Sequence, residues 1–257
     1  MPMITKRNCL LGTAAITFTV FEGLTFYLIH IADYDIDLNL HYISVVAAAI
    51  FSWLTLLIEL MTARSENERI CNKLFSTADG NLIRIAMLFT LVADYFLVGK
   101  SETDNLAGVT VFLGTQFFIF LHIFVNDESP CGRIANVAFR LLLSAGLILT
   151  AYLILGGEAD RLAIISVIYY ANLCSNAIFA HRIYRGGIIL TVGLILFALC
   201  DINVGLSALD SIYVGGFPKG SLLYNLMHTD VDLIWLFYIP SQTLIPLTLL
   251  FNNKKDK

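Results

Sequence analysis

Apolar residues along the chain fall into eight runs of helical length, separated by shorter polar segments. A run of about 20 apolar residues is long enough to cross a bilayer as an α-helix. The runs cover residues 9–31, 41–61, 81–99, 107–126, 136–155, 162–181, 187–208 and 229–251. The longest polar stretches, 62–80 and 209–228, are expected to be loops. The sequence therefore predicts an all-α integral membrane protein, a bundle of eight transmembrane helices that fills 1–257 as a single domain.

The distribution of basic residues predicts the orientation of these helices, because Lys and Arg are enriched in cytoplasmic loops. With a cytoplasmic N-terminus, the inner segments hold most of the basic residues, whereas the outer loops are mostly acidic. The inner basic residues are Lys6, Arg7, Arg64, Arg69, Lys73, Arg133, Arg182, Arg185, Lys254, Lys255 and Lys257. Both termini are therefore predicted to be cytoplasmic. The first run is longer than a signal-peptide core, so we expect a retained helix.

The composition agrees with a membrane protein. Hydrophobic residues make up 58% of the 257 residues and charged residues 14%, compared with roughly 25% charged residues in a soluble domain. No basic patch indicates a nucleic-acid partner. None of the five cysteines forms a C-x-x-C pair or lies in an outer loop, so no disulfide is expected. We expect a multi-pass protein of a bacterial inner membrane or a eukaryotic endomembrane, with the lipid bilayer as its surroundings.

Three carboxylates interrupt the apolar runs at matched positions. Glu22, Asp94 and Asp201 each lie thirteen or fourteen residues from the inner end of an outward-running helix. This distance is roughly 20 Å at ~1.5 Å per residue. A charge at the bilayer centre costs about 2.5–3.5 kcal/mol on insertion scales, so such residues usually serve a function. The alternative is that each carboxylate pairs with a polar neighbour to fix helix packing.

Other polar side chains are expected near the level of these carboxylates or deeper. They are Gln116, His122, Tyr169, Tyr170, Asn176, Tyr238 and Gln242. Pro240 and Pro246 should kink the eighth helix and free backbone carbonyls. Together these positions indicate a hydrated pocket that opens toward the outer half of the membrane, although they also suit hydrogen bonds between helices. Arg140 and Glu59 are expected near the inner ends of their helices, in contact with headgroups or water.

Several reaction classes are excluded by the residues that the chain lacks. No lysine lies well inside a helix, which excludes a retinal protein, and only His122 is well inside a run, whereas a zinc hydrolase needs several converging histidines. There is no G-x-S-x-G motif. Acid–base chemistry by carboxylates and translocation of an ion or solute remain, and neither needs a metal or cofactor. Two carboxyl groups in an apolar pocket suit acid–base catalysis, because one can stay protonated while the other activates water.

Three blocks of the sequence resemble the YhhN-like lysoplasmalogenase family of integral membrane proteins. The blocks are LFTLVADYFLVG with FLGTQFFIFLHIF, IYYANLCSNAIFAHR with GLILFALCDINVGLSAL, and LFYIPSQTLI. The family pattern has an aspartate, a histidine on the next helix, a tyrosine-bearing helix, a second aspartate and Tyr-x-x-x-Gln. Ala93 and Cys200 stand where the family has glycine and serine. Carried over residue by residue, the pattern matches Asp94, His122, Tyr170, Asp201, Tyr238 and Gln242.

The resemblance implies hydrolysis of the 1-alkenyl ether bond of a lysoplasmalogen, a lysophospholipid, to a fatty aldehyde and glycerophospho-ethanolamine or -choline. It implies Asp94 and Asp201 as the catalytic pair. Substrate contacts are expected from Glu22, His122, Tyr170, Asn176, Tyr238 and Gln242. One alternative is a proton-coupled or small-solute transporter, in which Glu22 and the two aspartates form a carboxylate relay. A lipid-binding receptor without chemistry is a third interpretation.

Overall fold

The computed structural model describes residues 3–31, 39–65, 78–97, 102–183, 186–212, 218–229 and 231–251, and these residues form helices joined by short turns, without any strand. Eight helices in these ranges are long and apolar enough to cross a membrane. The predicted fold class, an all-α bundle of eight transmembrane helices, is therefore confirmed for the described residues. The orientation stays a prediction, and the predicted cytoplasmic side is called the inner side below.

The helices of the described residues are numbered in chain order. They are α1 (Met3–His30), α2 (Asn39–Ser65), α3 (Ala78–Leu97), α4 (Glu102–Asn126), α5 (Pro130–Leu155), α6 (Arg161–Phe179), α7 (Gly187–Ile212), α8 (Leu222–Met227) and α9 (Leu233–Leu247). Short 3-10 turns follow three of them, at Gly156–Glu158, Ala180–Arg182 and Thr248–Phe251. Each helix except α8 contains one of the eight candidate spans.

Serine caps set the start of two helices that differ from the prediction. α5 begins at Pro130, six residues earlier than predicted, since the Ser129 hydroxyl accepts a hydrogen bond from the Gly132 N–H at 3.1 Å. The short helix α8, capped by Ser221, lies in the stretch 209–228, where the loop prediction is wrong. Other predicted features lie outside the described residues: loop residues 66–77, Arg69, Lys73, Arg185, Lys254, Lys255 and Lys257.

Six of the spanning helices close into a ring. Around it the order is α2, α3, α4, α6, α7 and α9, and α9 packs back against α2. α1 lies outside the ring against α2 and α9, and α5 lies outside it against α6. Buried apolar side chains from all six ring helices form the core, among them Val45, Met87, Ile119 and Leu173. Side chains that point inward from these helices therefore meet around one axis, shielded from lipid.

A buried ion pair joins α2 and α3 near their inner ends. Nη2 of Arg84 lies 3.4 Å from Oε2 of Glu59, and Arg84 is 1% exposed. The same guanidinium donates hydrogen bonds to the Ser52 carbonyl, to Oγ1 of Thr55 and to Oδ1 of Asn81. The expectation that Glu59 is solvated is therefore wrong. Arg84, which faces Glu59 across the contact between α2 and α3, is a cation and needs a counter-charge once it is buried.

Two glycines bring α3 and α4 close together. A Cβ atom at Gly114 would lie 2.5 Å from Cδ1 of Phe89, and one at Gly108 would lie 2.7 Å from Cδ2 of Leu97. Phe89 is itself packed against Phe118, with the ring centroids 5.1 Å apart, so it has little room to withdraw. Small residues allow such close approach between membrane helices. The contact holds α3, which carries Asp94, at a fixed distance from α4.

Replacing Gly114 by alanine should destabilise the protein by about 1–3 kcal/mol, because the added methyl group overpacks the contact with Phe89. Gly146→Ala is the matched control, since nothing lies within 4 Å of a Cβ atom there and alanine favours a helix. Thermal unfolding in detergent, followed by intrinsic fluorescence, compares the two variants. Equal melting temperatures would contradict the close contact between α3 and α4.

Candidate active site

Asp94 is held by a tyrosine from another helix of the ring. It lies on α3, three residues before that helix ends, and is 8% exposed. Tyr238 lies on α9, five residues after that helix begins, and is also buried. The Tyr238 hydroxyl donates a hydrogen bond to Oδ2 of Asp94 at 2.5 Å. The carboxyl group thus has a donor within the protein, in a region where lipid supplies none.

Asp201 is held in the same way by a second tyrosine. Asp201 lies on α7 and is partly buried, and Tyr169 on α6 is buried. The Tyr169 hydroxyl donates to Oδ2 of Asp201 at 2.5 Å. Asp94 and Asp201 interact electrostatically with one another, and Tyr169 interacts with both. The structure therefore brings the two aspartates together inside the ring, each with one oxygen fixed by a tyrosine.

Two phenylalanines connect the tyrosines below the carboxyl groups. Phe112 on α4 lies 5.7 Å from the ring of Tyr169 and 5.6 Å from the ring of Phe197, measured between centroids. Phe197 on α7 lies 5.4 Å from the ring of Tyr238, with the planes 63° apart. The two contacts of Phe197 are edge-to-face, and contacts of this kind fix ring orientation as well as burying area. The four aromatic rings thus hold both carboxyl groups in place.

The outer side of the site has an open pocket. It measures about 170 Å³ and is lined by Asn203, Ser207, Thr229, Val231, Asp232, Leu233 and Ile234. Asn203 follows Asp201 by two residues on α7, a spacing that turns it roughly 200° away from Asp201 around the helix, and neither aspartate lines the pocket. Trp235 packs between Tyr238 and the stacked ring of His41. The predicted hydrated path from the outer surface to the aspartates stays a prediction.

Two glutamines lie one turn deeper than the aromatic rings. Gln242 follows Tyr238 by four residues and Gln116 follows Phe112 by four, so each shares the ring-facing side of its helix. Both side chains are fully buried. Among the described residues, no group hydrogen-bonds to Oε1 or Nε2 of Gln242 or to Nε2 of Gln116. Leaving a buried polar atom unpaired costs about 1–3 kcal/mol, so a group that bonds to these atoms would bind favourably.

Glu22 does not join the two aspartates. It lies on α1, outside the ring, and accepts a hydrogen bond from the Ser44 hydroxyl on α2 at 2.5 Å. Its side chain is buried in this helix contact. Of the two interpretations of a membrane carboxylate, pairing between helices therefore describes Glu22. Matched depth predicts nothing about position around the bundle, which is why the three carboxylates could not be separated by sequence.

His122 is also separate from the aspartates. Its ring Nδ1 donates to the main-chain carbonyl of Asp79 at 2.8 Å. Asp79 precedes Asp94 by fifteen residues on α3, which is roughly 22 Å at ~1.5 Å per residue. His122 is buried near the inner ends of α3 and α4, where it joins these helices. The structure does not place it with the other residues that the family resemblance matches.

Asn176 lies in a polar cluster around a buried arginine. Arg140 on α5 donates to Oδ1 of Asn176 at 2.7 Å, to Oδ1 of Asn172 at 2.5 Å and to Oδ1 of Asn136 at 3.3 Å. Its guanidinium also lies 4.4 Å from the ring centroid of Phe120. The expectation that Arg140 snorkels to the inner surface is wrong, because the earlier start of α5 places it roughly 15 Å from the helix end. This cluster attaches α5 to the ring.

Tyr169, and not the predicted Tyr170, makes the hydrogen bond to Asp201. Tyr170 interacts with the Cys174 thiol and lies within electrostatic range of Asp201. Helical spacing contains the signal for this choice, since Tyr169 and Asn176 are seven residues apart and share one face of α6. Asn176 Nδ2 donates to Gln116 of α4 at 2.9 Å, which turns this face toward the ring axis. The pattern of the family blocks alone did not reveal it.

Comparisons with known proteins give no further information about this site. Comparison of the chain with protein-family models, with curated proteins and with solved structures gives no match. Within the described ranges, no group of three or more His, Cys, Asp and Glu side chains is arranged to hold a metal ion. The family resemblance of the sequence blocks therefore stays a prediction, and the function has to be argued from the site.

Replacing Tyr238 by phenylalanine should lower the free energy of unfolding by about 1–3 kcal/mol, because the buried Asp94 carboxyl group loses its donor. Tyr95→Phe is the matched control. Tyr95 follows Asp94 directly but is 66% exposed, so its change should stay within about 0.5 kcal/mol. Melting temperatures in detergent measure the difference. A Tyr95→Phe effect as large as that of Tyr238→Phe would show that the hydrogen bond is not what stabilises the site.

Proposed function

We propose that this protein is a membrane-embedded lysoplasmalogenase. It hydrolyses the 1-alkenyl ether bond of a lysoplasmalogen to a fatty aldehyde and glycerophospho-ethanolamine or -choline. The observation that carries the proposal is the pair of aspartates inside the helix ring, each fixed through one oxygen by a tyrosine. Paired carboxyl groups in a shielded site are the groups that acid-catalysed hydrolysis of an ether requires.

The reaction proceeds in three balanced steps. A protonated aspartic acid donates its proton to the alkenyl carbon that carries the alkyl chain, which leaves an oxocarbenium ion at the ether carbon. Water adds to that carbon and gives its proton to the other carboxylate, forming a hemiacetal. The hemiacetal hydroxyl then gives its proton to the first aspartate while the second aspartic acid protonates the glycerol oxygen, and the bond to that oxygen breaks to release the aldehyde and the alcohol. One water is consumed and nothing is oxidised or reduced.

The surroundings of the aspartates support this chemistry. A positively charged oxocarbenium ion forms between two carboxyl groups, so whichever is ionised stabilises it through a short distance in an apolar region. The hydrogen bonds from the two tyrosines fix the orientation of both carboxyl groups before the substrate binds. Water and the polar part of a lipid would enter from the outer side, where an open pocket lies between α7 and the start of α9. The lipid tail meets an apolar bundle already in contact with the bilayer.

The transporter alternative depends on a relay of three carboxylates. Glu22 lies on α1, which packs outside the ring against α2 and α9, and it is hydrogen-bonded to Ser44. A relay through Glu22, Asp94 and Asp201 would therefore have to cross a helix contact that is packed with apolar side chains such as Val45 and Ala48. This separation favours the two-aspartate site over the three-carboxylate path.

Replacing Asp94 or Asp201 by asparagine should lower aldehyde release by at least about 100-fold, because an amide can neither donate nor accept the transferred proton. Glu22→Gln is the matched control. It changes a buried carboxyl group on another membrane helix outside the ring, and it should keep most of the activity. The measurement is aldehyde release from 1-alkenyl-lysophosphatidylethanolamine by purified protein in detergent. Near-normal turnover in both aspartate variants would overturn the proposal, as would solute movement in liposomes without aldehyde release.

The two adjacent tyrosines of α6 provide a finer test. Tyr169→Phe removes the donor to Asp201 and should reduce kcat by about 10-fold or more, since the carboxyl group loses its fixed orientation. Tyr170→Phe keeps that hydrogen bond and should change kcat by less. Steady-state kinetics of both variants on the same substrate make the comparison. The reverse order of effects would favour Tyr170 as the contact, as the family resemblance implies.

A further inference from the structure

We propose that Gln242 and Gln116 form a subsite that recognises the free hydroxyl group of a single-chain glycerolipid. This inference rests on the proposed function, because it concerns the part of the substrate next to the ether bond. The two residues are called the glutamine pair below. Their role would be to select a lipid with one chain and a free glycerol hydroxyl over a lipid with two chains.

The position of the glutamine pair suits a group attached to the reacting bond. Gln242 lies one turn below Tyr238, and side chains on a helix lean toward its N-terminus. The Gln242 amide therefore reaches back toward the level of Tyr238, whose hydroxyl is bonded to Asp94. Gln116 lies on α4, which is opposite α9 in the order of the ring. Each glutamine lies one helical turn further inward than the aromatic ring that precedes it by four residues, Phe112 on α4 and Tyr238 on α9.

The unpaired atoms of the glutamine pair define the chemistry of the ligand. Gln242 offers one acceptor, Oε1, and one donor, Nε2, and neither has a partner among the described residues. Nε2 of Gln116 adds a second donor, while Oε1 of Gln116 is already bonded to Asn176. Pro246 also has no N–H to offer the Gln242 carbonyl, four residues before it. The pair can therefore give and accept hydrogen bonds at once.

A hydroxyl group matches this arrangement and the other polar parts of a lipid do not. A hydroxyl donates one hydrogen bond and accepts others, so it satisfies Oε1 and at least one Nε2 together. A phosphate oxygen only accepts and would leave Oε1 of Gln242 unpaired, whereas an ammonium group only donates. The ester of a two-chain lipid cannot donate either.

Binding measured with a non-hydrolysable ligand tests the subsite without turnover. The probes are 1-O-alkyl-2-hydroxy-glycerophosphoethanolamine and its 2-O-methyl analogue, titrated into purified protein in detergent by isothermal calorimetry. The wild-type protein should bind the hydroxy lipid about tenfold more tightly, because the methyl ether leaves Oε1 of Gln242 without a donor. Gln242→Leu should bring the two affinities within about twofold of each other. Thr243→Val is the control and should keep the preference, since the Thr243 hydroxyl is bonded to Ile239 on its own helix.

Thermal stability separates ligand recognition from a structural role. If Gln242 serves a ligand, Gln242→Leu removes two unpaired polar atoms and the unliganded protein should melt at the same temperature or higher. If Gln242 holds the fold together, the same change lowers the melting temperature, and this result would overturn the inference. Gln242→Met, which keeps the length of the side chain, provides the same comparison should the leucine variant not accumulate.

The outcomes distinguish the subsite from the proposed function. A hydroxyl preference that disappears in Gln242→Leu supports the subsite even if the protein releases no aldehyde, in which case the hydrolase proposal fails alone. Aldehyde release that depends on Asp94 and Asp201, with equal binding of both probes by the wild-type protein, overturns the subsite and leaves the hydrolase intact. Loss of preference in Thr243→Val as well would also overturn the assignment to Gln242.

Discussion

A polar group inside this helix ring must find its hydrogen-bond partner within the protein, and this constraint determines how the helices are arranged. Neither lipid nor the apolar core supplies a partner. Asp94 and Asp201 obtain theirs from tyrosines on other helices, so α3 is tied to α9 and α7 is tied to α6. The phenylalanines between the tyrosines complete the contact. The carboxyl groups therefore define the site and also help to specify which helices are neighbours.

Buried polar groups among the described residues differ in how many of their hydrogen bonds are made within the protein. Arg84 and Arg140 each donate hydrogen bonds to several oxygen atoms. The acceptors of Arg84 include a carboxylate, and those of Arg140 belong to three asparagines. These hydrogen bonds join α2 to α3 and α5 to α6, although Nε of Arg140 has no partner among the described residues. Gln242 is equally buried but has no partner within the described residues. Because burying an unpaired polar group destabilises the folded protein, a ligand or a water molecule is the expected partner of Gln242.

The sequence predicts the helices of this protein well and their lateral arrangement poorly. Hydrophobic length identified all eight spans, because a membrane imposes one minimum length on each of them. Depth could be counted along each helix, and it correctly grouped Asp94 with Asp201. It also grouped Glu22 with them, since depth contains no information about rotation or neighbours. Arg140 was misplaced because a Ser-Pro cap begins α5 six residues before its apolar run, and Tyr169 was passed over although its spacing from Asn176 indicated the ring-facing side.

Helix direction explains why the two aspartates meet the two tyrosines at one level. The aspartates lie on α3 and α7, which run in one direction, and the tyrosines lie on α6 and α9, which run in the other. Side chains lean toward the N-terminus of their helix, so the carboxyl groups lean inward while the tyrosines lean outward. Asp94, three residues from the end of α3, thus reaches Tyr238, five residues from the start of α9. The carboxyl groups consequently lie deeper than their backbone positions, which shields them from outer water.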